Sequence, residues 1–279
     1  FRSDGKQIEP DWGSEFLEAP HNINERRNVM KSLRTNICGI EFNDDTLNGI
    51  TDKIFTEIDK GVCTVFTPNS EIAENARENP GFLAILNSSD ISTADGDGVI
   101  LASKLAGKPI AGGKVAGVDL GLKIAEECAA RGYRLFILGG RNGVAEKAAE
   151  GLQCRYPKLI TAGFRDGFSS LSEAADEIKN SRADAVFVCL GSPLQELWIN
   201  EHRYDGAKLY VGLGGSVNIY AEISRRAPKM MIRMHLEWLW RLISEPSRMP
   251  RIRRIPRFLF AALTEGLRNE ALSYLGRLR

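Results

Sequence analysis

Tyr133-Arg134-Leu135-Phe136-Ile137-Leu138-Gly139-Gly140-Arg141-Asn142-Gly143 is the stretch that decides the fold. The largely apolar run from Tyr133 to Leu138 reads as a strand, the glycines as a tight turn, and the residues to about Tyr156 as a helix. The same unit recurs on both sides. Upstream, Val62 to Phe66 reads as a buried strand ending at Thr67-Pro68-Asn69, followed by a helix over Ser70 to Asn79 that stops before Pro80. A short strand from Asp90 to Ala94 closes on Asp95-Gly96-Asp97-Gly98, a helix runs from Val99 to Leu105, and another covers Asp119 to Arg131. Downstream, Asp184 to Leu190 is a strand broken by Gly191-Ser192-Pro193 with helix from Leu194, and Leu209 to Leu213 ends in Gly214-Gly215-Ser216. Strands alternating with helices predict an α/β protein whose mostly parallel sheet is flanked by helices.

The unusual residues gather behind strand C-terminal ends, the edge where open α/β sheets take ligands. Glycine there lets backbone approach, and helix N-termini offer N–H groups to phosphate. One such turn is explained by connection geometry alone; five on one edge favour a nucleotide or phosphosugar site. Asp95 has three readings: a general base held on a tight turn within reach of a substrate hydroxyl, half of a metal-chelating pair with Asp97, or a helix N-cap. Gly191-Ser192-Pro193-Leu194-Gln195-Glu196 puts Pro193 at the first helical position and Gln195 and Glu196 in the first turn, where backbone N–H groups, the Ser192 hydroxyl and Gln195 can hold a diphosphate or a sugar. The bland alternative is a cap with Trp198 as core. The Gly139 block lacks the full dinucleotide spacing and a ribose-binding acid about 20 residues on, which argues against an NAD-type oxidoreductase. In Gly163-Phe164-Arg165-Asp166-Gly167-Phe168 the aromatics suit either base stacking or core packing.

Composition narrows the class. The 279 residues are 43% apolar and 26% charged, enough for one large domain or two small ones. No apolar run approaches the roughly 18 uncharged residues of a spanning helix. Five scattered cysteines fit reduced thiols in a cytoplasm. The histidines, His21, His202 and His235, form no site at metal spacing, and no Gly-x-Ser-x-Gly elbow is present. The net charge of +1 hides an asymmetry: residues 225–279 carry 13 Lys or Arg against 4 Glu, so the first 224 sum to −8. Such a tail predicts an anionic partner, membrane surface or nucleic acid. Residues 1–34 are polar and aperiodic and are expected to be a flexible leader, followed by a catalytic domain over 35–224 and a basic arm over 225–279. Within the arm a helix is predicted over Met230 to Ser244, with Arg233, Glu237 and Arg241 spaced to pair. Glu245-Pro246 breaks it, arginines follow, and Leu259, Leu263 and Leu267 form an apolar stripe. That segment suits lying on an anionic bilayer, or simply packing on the body.

Thr67-Pro68-Asn69, Asp95-Gly96-x-Gly98, Gly117-x-Asp119-Leu120, Gly139-Gly140, Gly191-Ser192-Pro193-x-Gln195-Glu196, Gly214-Gly215, Arg226-Ala227-Pro228 and Leu236-Glu237-Trp238-Leu239-x-Arg241-Leu242 together resemble the bacterial WecG/TagA/CpsF glycosyltransferases, glycosyltransferase family 26. The resemblance runs from about Ile37 to Arg254. It implies a Rossmann-like core and inverting transfer of a hexose or N-acetylhexosamine-type sugar from a UDP-sugar donor to an undecaprenyl-diphosphate-linked saccharide acceptor, for bacterial surface polysaccharide. It implies Asp95 as the base and no cofactor or metal, which lowers the metal reading of Asp97. The expected donor-binding set is Thr67, Asn69, Asp119, Gly139, Gly140, Phe168, Gly191, Ser192, Pro193, Gln195, Glu196, Gly214 and Gly215. Arg226, Arg233, Arg241, Arg248, Arg251 and Arg254 are expected at the acceptor diphosphate and the anionic inner-membrane surface. The chain is then expected to be cytoplasmic and peripherally attached to the inner face of the cell membrane, with no nucleic acid partner; a homo-oligomer stays open. Lys114-Val115-Ala116-Gly117, Val217-Asn218 and Ala221-Glu222 depart from the usual pattern and leave the donor sugar among N-acetylmannosamine, its uronic acid and glucose. The alternative function is a nucleic-acid- or membrane-binding module with a nucleotide-binding core.

Overall fold

The computed structural model describes residues 34–168, 171–244 and 249–277. In chain order its elements are β1 (Arg34–Ile37), β2 (Ile40–Asn43), α1 (Leu47–Ile58), β3 (Cys63–Phe66), α2 (Ser70–Glu78), α3 (Pro80–Asn87), β4 (Ile91–Ser92), α4 (Asp97–Leu105), α5 (Gly117–Arg131), β5 (Arg134–Gly139) and α6 (Val144–Arg155). Then follow β6 (Ile160–Arg165), α7 (Leu171–Ser181), β7 (Ala185–Cys189), α8 (Leu194–His202), β8 (Leu209–Gly212), α9 (Ser216–Tyr220), α10 (Lys229–Arg233), α11 (Glu237–Ser244), α12 (Met249–Ile252) and α13 (Arg254–Arg277). Of the expected leader only Arg34, which opens β1, falls among the described residues.

The expected α/β architecture is observed. Six strands form one all-parallel sheet in the order β4-β3-β8-β7-β5-β6, and β1 and β2 make a separate antiparallel hairpin. β7 is buried along its whole length, Ala185 to Cys189, the continuous apolar run of a strand covered on both faces. Two apolar clusters lie on the two faces. One joins Ile54 of α1, Ile124 of α5, Leu152 of α6 and Tyr220 of α9 to Val65, Ile137, Phe187 and Val211. The other joins the hairpin, α2, α3, α4, α7, α8 and the first half of α13 to Phe66, Phe136, Val188 and Tyr210.

Three sequence readings change. Pro80 does not merely end α2; it opens α3 as a first-turn proline, where its missing N–H is no loss. The helix expected from Met230 to Ser244 is two helices, because His235 sits at φ 59 and turns the chain between α10 and α11. Glu237 is buried and meets Lys114 and Arg226, Arg233 is exposed, and the Arg241 side chain of the expected trio lies outside the described residues. In α13 the side that enters the core is Phe258 and Ala262, while Leu263 and Leu267 of the expected stripe are exposed. The packing alternative thus describes one side of this helix. A Cβ on Gly266 would fall 2.1 Å from the Leu105 carbonyl oxygen, so a glycine lets α13 reach the end of α4. Beside it Glu265 takes Lys108 at 2.5 Å and the Cys38 backbone N–H at 2.6 Å. Among the described residues no helix is long and apolar enough to cross a membrane.

Candidate active site

β3 and β8 are neighbours, but the chain leaves β3 for α2 on one face and β8 for α9 on the other. Their parting leaves a crevice at the carboxyl edge, the place where doubly wound sheets bind ligands. A polar cavity of about 340 Å³ lies there. Thr67 and Asn69 after β3, Asp95 after β4, Gly191, Ser192 and Gln195 after β7, and Gly214 and Gly215 after β8 line one side. Arg225, Arg226, Glu237, Trp240 and Arg254 line the other. Four of the five strand-end turns thus meet in one crevice, the Gly139 turn standing outside it, and the start of the arm closes over them.

Several of these side chains also brace the crevice. The Thr67 hydroxyl donates to the Gly212 carbonyl at 2.9 Å, tying β3 to β8. Asn69 Oδ1 accepts from the Glu71 and Ile72 N–H groups and so caps α2. Gln195 is buried: its Oε1 accepts from the Gly214 N–H at 2.8 Å and its Nε2 donates to Glu196 Oε1 at 2.8 Å. This one side chain therefore fixes the loop after β8 against the first turn of α8.

Glu196 does not line this cavity. It is fully buried behind Gln195, and burial pushes its carboxyl up to about 6 against the weaker pull of the Gln195 amide, its own N–H and the Ser192 hydroxyl. A raised carboxyl makes the folded state hold a proton that the unfolded chain releases, so stability from this site falls as pH rises from the ordinary carboxylate range through about 6. Glu196→Gln is accordingly expected to gain on the order of 2 kcal/mol over the wild type near pH 8 and little near pH 4. Thermal melts at the two pH values check it; an equal gain at both would refute the buried ionisation.

Asp95 is half-buried on the turn between β4 and α4. It is not a helix cap: Gly96 holds the N-cap position of α4 and no side chain caps it. Nor is it paired with Asp97 toward a shared ion, because Asp97 turns to Lys114 at 3.2 Å and to the His235 ring at 2.6 Å. Lys114 bridges onward to Glu237 at 3.4 Å, and Glu237 reaches Arg226 at 4.0 Å. Arg226 is clamped by both oxygens of Asp119, with Nη2 to Oδ2 at 2.6 Å. Its guanidinium is held still more firmly charged by Asp119 and, more weakly, by Glu237 and Asp95. A chain of alternating charges therefore runs from Asp97 to Asp119, with the His235 ring hydrogen-bonded at its end, and fastens the stretch between α9 and α11 over the crevice.

Asp119 thus serves by holding Arg226 and lines neither this cavity nor its neighbour. The same is true of Gly139, Gly140, Pro193 and Phe168, the last 69% exposed. Gly139 has a packing reason instead: at φ 124, a Cβ would stand 2.4 Å from the backbone of Cys189. Of the expected arginines, Arg226 and Arg254 line the polar cavity and Arg233 is exposed on α10. Arg248 and the Arg241 and Arg251 side chains lie outside the described residues. Sequence reading missed Lys114, His235 and Glu71 as site residues. Asn69, Glu71, Asp95 and Glu237 also border a second cavity, of about 550 Å³ and mostly apolar.

A parallel sheet with a polar crevice at its switch point, closed by arginines and containing one turn-borne carboxylate, is the site of an α/β enzyme that handles an anionic, hydroxyl-bearing substrate. The model of the glycosyl transferase WecG/TagA/CpsF family matches residues 35–272, and the chain belongs to that family. It is a glycosyltransferase. The N-acetylglucosaminyldiphosphoundecaprenol N-acetyl-beta-D-mannosaminyltransferase of Bacillus spizizenii is 34% identical over 245 residues, 86% of this chain and 95% of its own length. Proteins of the same name from Bacillus subtilis strain 168 and Staphylococcus aureus strain MRSA252 are 33% and 29% identical, over 72% and 85% of this chain and 79% and 94% of their own lengths.

Proposed function

We propose that this enzyme moves N-acetylmannosamine from a UDP donor onto the N-acetylglucosamine of a diphosphoundecaprenol-linked acceptor, with inversion. The observation that carries the reading is Asp95, an uncapping, turn-borne carboxylate on the wall of a polar crevice that arginines close. The relatives' shared name supplies the sugar and the acceptor. In this reading Asp95 takes the proton of the acceptor hydroxyl as that oxygen bonds to the anomeric carbon. The bond from that carbon to the UDP oxygen breaks, and its electron pair leaves with the diphosphate. The N–H groups opening α8 behind Gly191 and Ser192, together with Arg226 and Arg254, face the charge that builds on the leaving group. The covering arm excludes water, so transfer is favoured over hydrolysis. The enzyme works at the inner face of the cell membrane, held peripherally; α13 presents Phe260, Leu263 and Leu267 to that surface.

Asp97, committed to Lys114 and His235, supports a site that works without a metal ion. Calorimetric titration is expected to show binding of UDP but not of NAD, with the same affinity in EDTA and in Mg²⁺. Preference for GDP would move the donor. Binding that appears only with the metal would overturn the metal-free reading, and silence toward every nucleotide would overturn the donor site.

A further inference from the structure

The second cavity touching Asp95 has the opposite chemistry to the first. It shares Asn69, Glu71, Asp95 and Glu237 with the first, and Asp97 and His235 stand beside them; the rest of its wall is Ile100, Leu101 and, one turn farther along α4, Lys104, with Trp238 of α11 and Ile255 and Leu259 of α13. Leu101 and Trp238 remain 47% and 45% exposed, so this wall is an open apolar groove. It does not stop at Leu259. Leu263 and Leu267 follow at intervals of four on the same side of α13, and both are exposed. Phe258 and Ala262 of that helix enter the core and Leu259 packs partly against it, so packing accounts for the start of the row but not for the exposed Leu263 and Leu267. A polar end that holds the base, followed by an apolar track leading outward, is the order of groups in a molecule with a reactive sugar at one end and a hydrocarbon tail at the other.

We infer that this groove is the subsite for the prenyl chain of the lipid-linked acceptor. The isoprene units nearest the sugar lie between α4 and the start of α13, and the tail leaves along Leu263 and Leu267. The inference rests on the transfer reading above and adds to it where the acceptor lies. Donor and acceptor occupy adjoining cavities with Asp95 on their common wall, so the hydroxyl and the base meet only when the tail is seated. Leu101 is a specificity-determining residue in this arrangement: it selects a hydrocarbon-linked diphosphate over a water-soluble one.

The test uses the full chain and three probes, N-acetylglucosamine diphosphate carrying a methyl, a geranyl or a farnesyl group, titrated by calorimetry. Affinity is expected to rise at least ten-fold from methyl to farnesyl, since each buried methylene adds a several-fold factor. Leu101→Gln is expected to erase most of that rise and Leu101→Met to keep it, while UDP affinity and melting temperature stay unchanged in both. Equal affinity for the three probes, or a full rise in Leu101→Gln, would overturn the groove. So would a Leu101→Gln variant that alters only the molar mass in light scattering, which would make this face a contact between two copies. If farnesyl binding depends on Leu101 but UDP is not bound and no sugar moves, the groove stands and the transfer reading falls. If transfer proceeds at a rate blind to chain length, the reading stands and the groove falls.

Discussion

Asp95→Asn is expected to lower turnover by roughly 10² to 10⁴ while leaving UDP affinity and melting temperature close to wild type. The size follows from losing a positioned base in a reaction whose nucleophile is a sugar hydroxyl, far too weak an acid to ionise unaided. The selectivity follows from the structure. Asp95 caps no helix, and the turn that carries it is held by backbone, with its own N–H on the Pro68 carbonyl at 3.2 Å. Replacing carboxylate by amide removes the proton acceptor and keeps the shape. Single-turnover rates at saturating donor and acceptor, measured beside calorimetric UDP affinity, separate the outcomes. A variant that still turns over at the wild-type rate removes Asp95 from the chemistry. One that loses UDP binding and melts early makes it a structural residue.

Phe258→Ala is expected to cost on the order of 3–5 kcal/mol of stability, the usual consequence of emptying a buried aromatic position. Phe258 and Ala262 are the buried side chains by which α13 enters the apolar cluster shared with the hairpin, α2 and α4, and α13 packs against α2 and α4. Those two helices follow directly from Asn69 and from the Asp95 turn. The same helix begins with Arg254 on the wall of the polar cavity. Loosening it should therefore raise the substrate KM as well as lower the melting temperature. Phe260, two residues on and 68% exposed, supplies the control: Phe260→Ser should stay within about 0.5 kcal/mol. Equal destabilisation by the two changes would mean that α13 is not docked through Phe258.

The strand-turn-helix units were legible because their signals are local. Short, β-branched apolar runs such as Ala185-Val186-Phe187-Val188-Cys189, bounded by turn residues, read as buried strands, and the glycines behind them mark the carboxyl edge. Asp95, Gly191 and Gly214 could be brought to one crevice on that logic alone, and the cavity contains all three. Elements whose signal is weak went unread: the β1–β2 hairpin, α1, and β6, an edge strand whose residues are half-buried or exposed. The roles of long-range partners were beyond reach for a different reason. Lys114 meets Glu237 across 123 residues and Arg226 meets Asp119 across 107, and no spacing rule couples such positions. A carboxylate such as Asp119, which reads as a ligand contact on a helix N-terminus, is instead the clamp for an arginine. Gly139 likewise reads as a phosphate turn yet is required by the approach of Cys189. The turn at His235 divides a stretch expected as one helix, and its ring meets Asp97 on another element, 138 residues away in sequence.

One measurement tests the central claim most directly: the anomeric configuration of the product, read by NMR after the enzyme is incubated with UDP-N-acetylmannosamine and a farnesyl-diphosphate-linked N-acetylglucosamine. A single displacement by an Asp95-activated hydroxyl on an α-linked donor predicts a disaccharide with the new linkage purely β, matching the beta in the relatives' name. An α-linked product would mean net retention and contradict a single displacement from the opposite face. Release of free N-acetylmannosamine with the acceptor unchanged would contradict transfer itself.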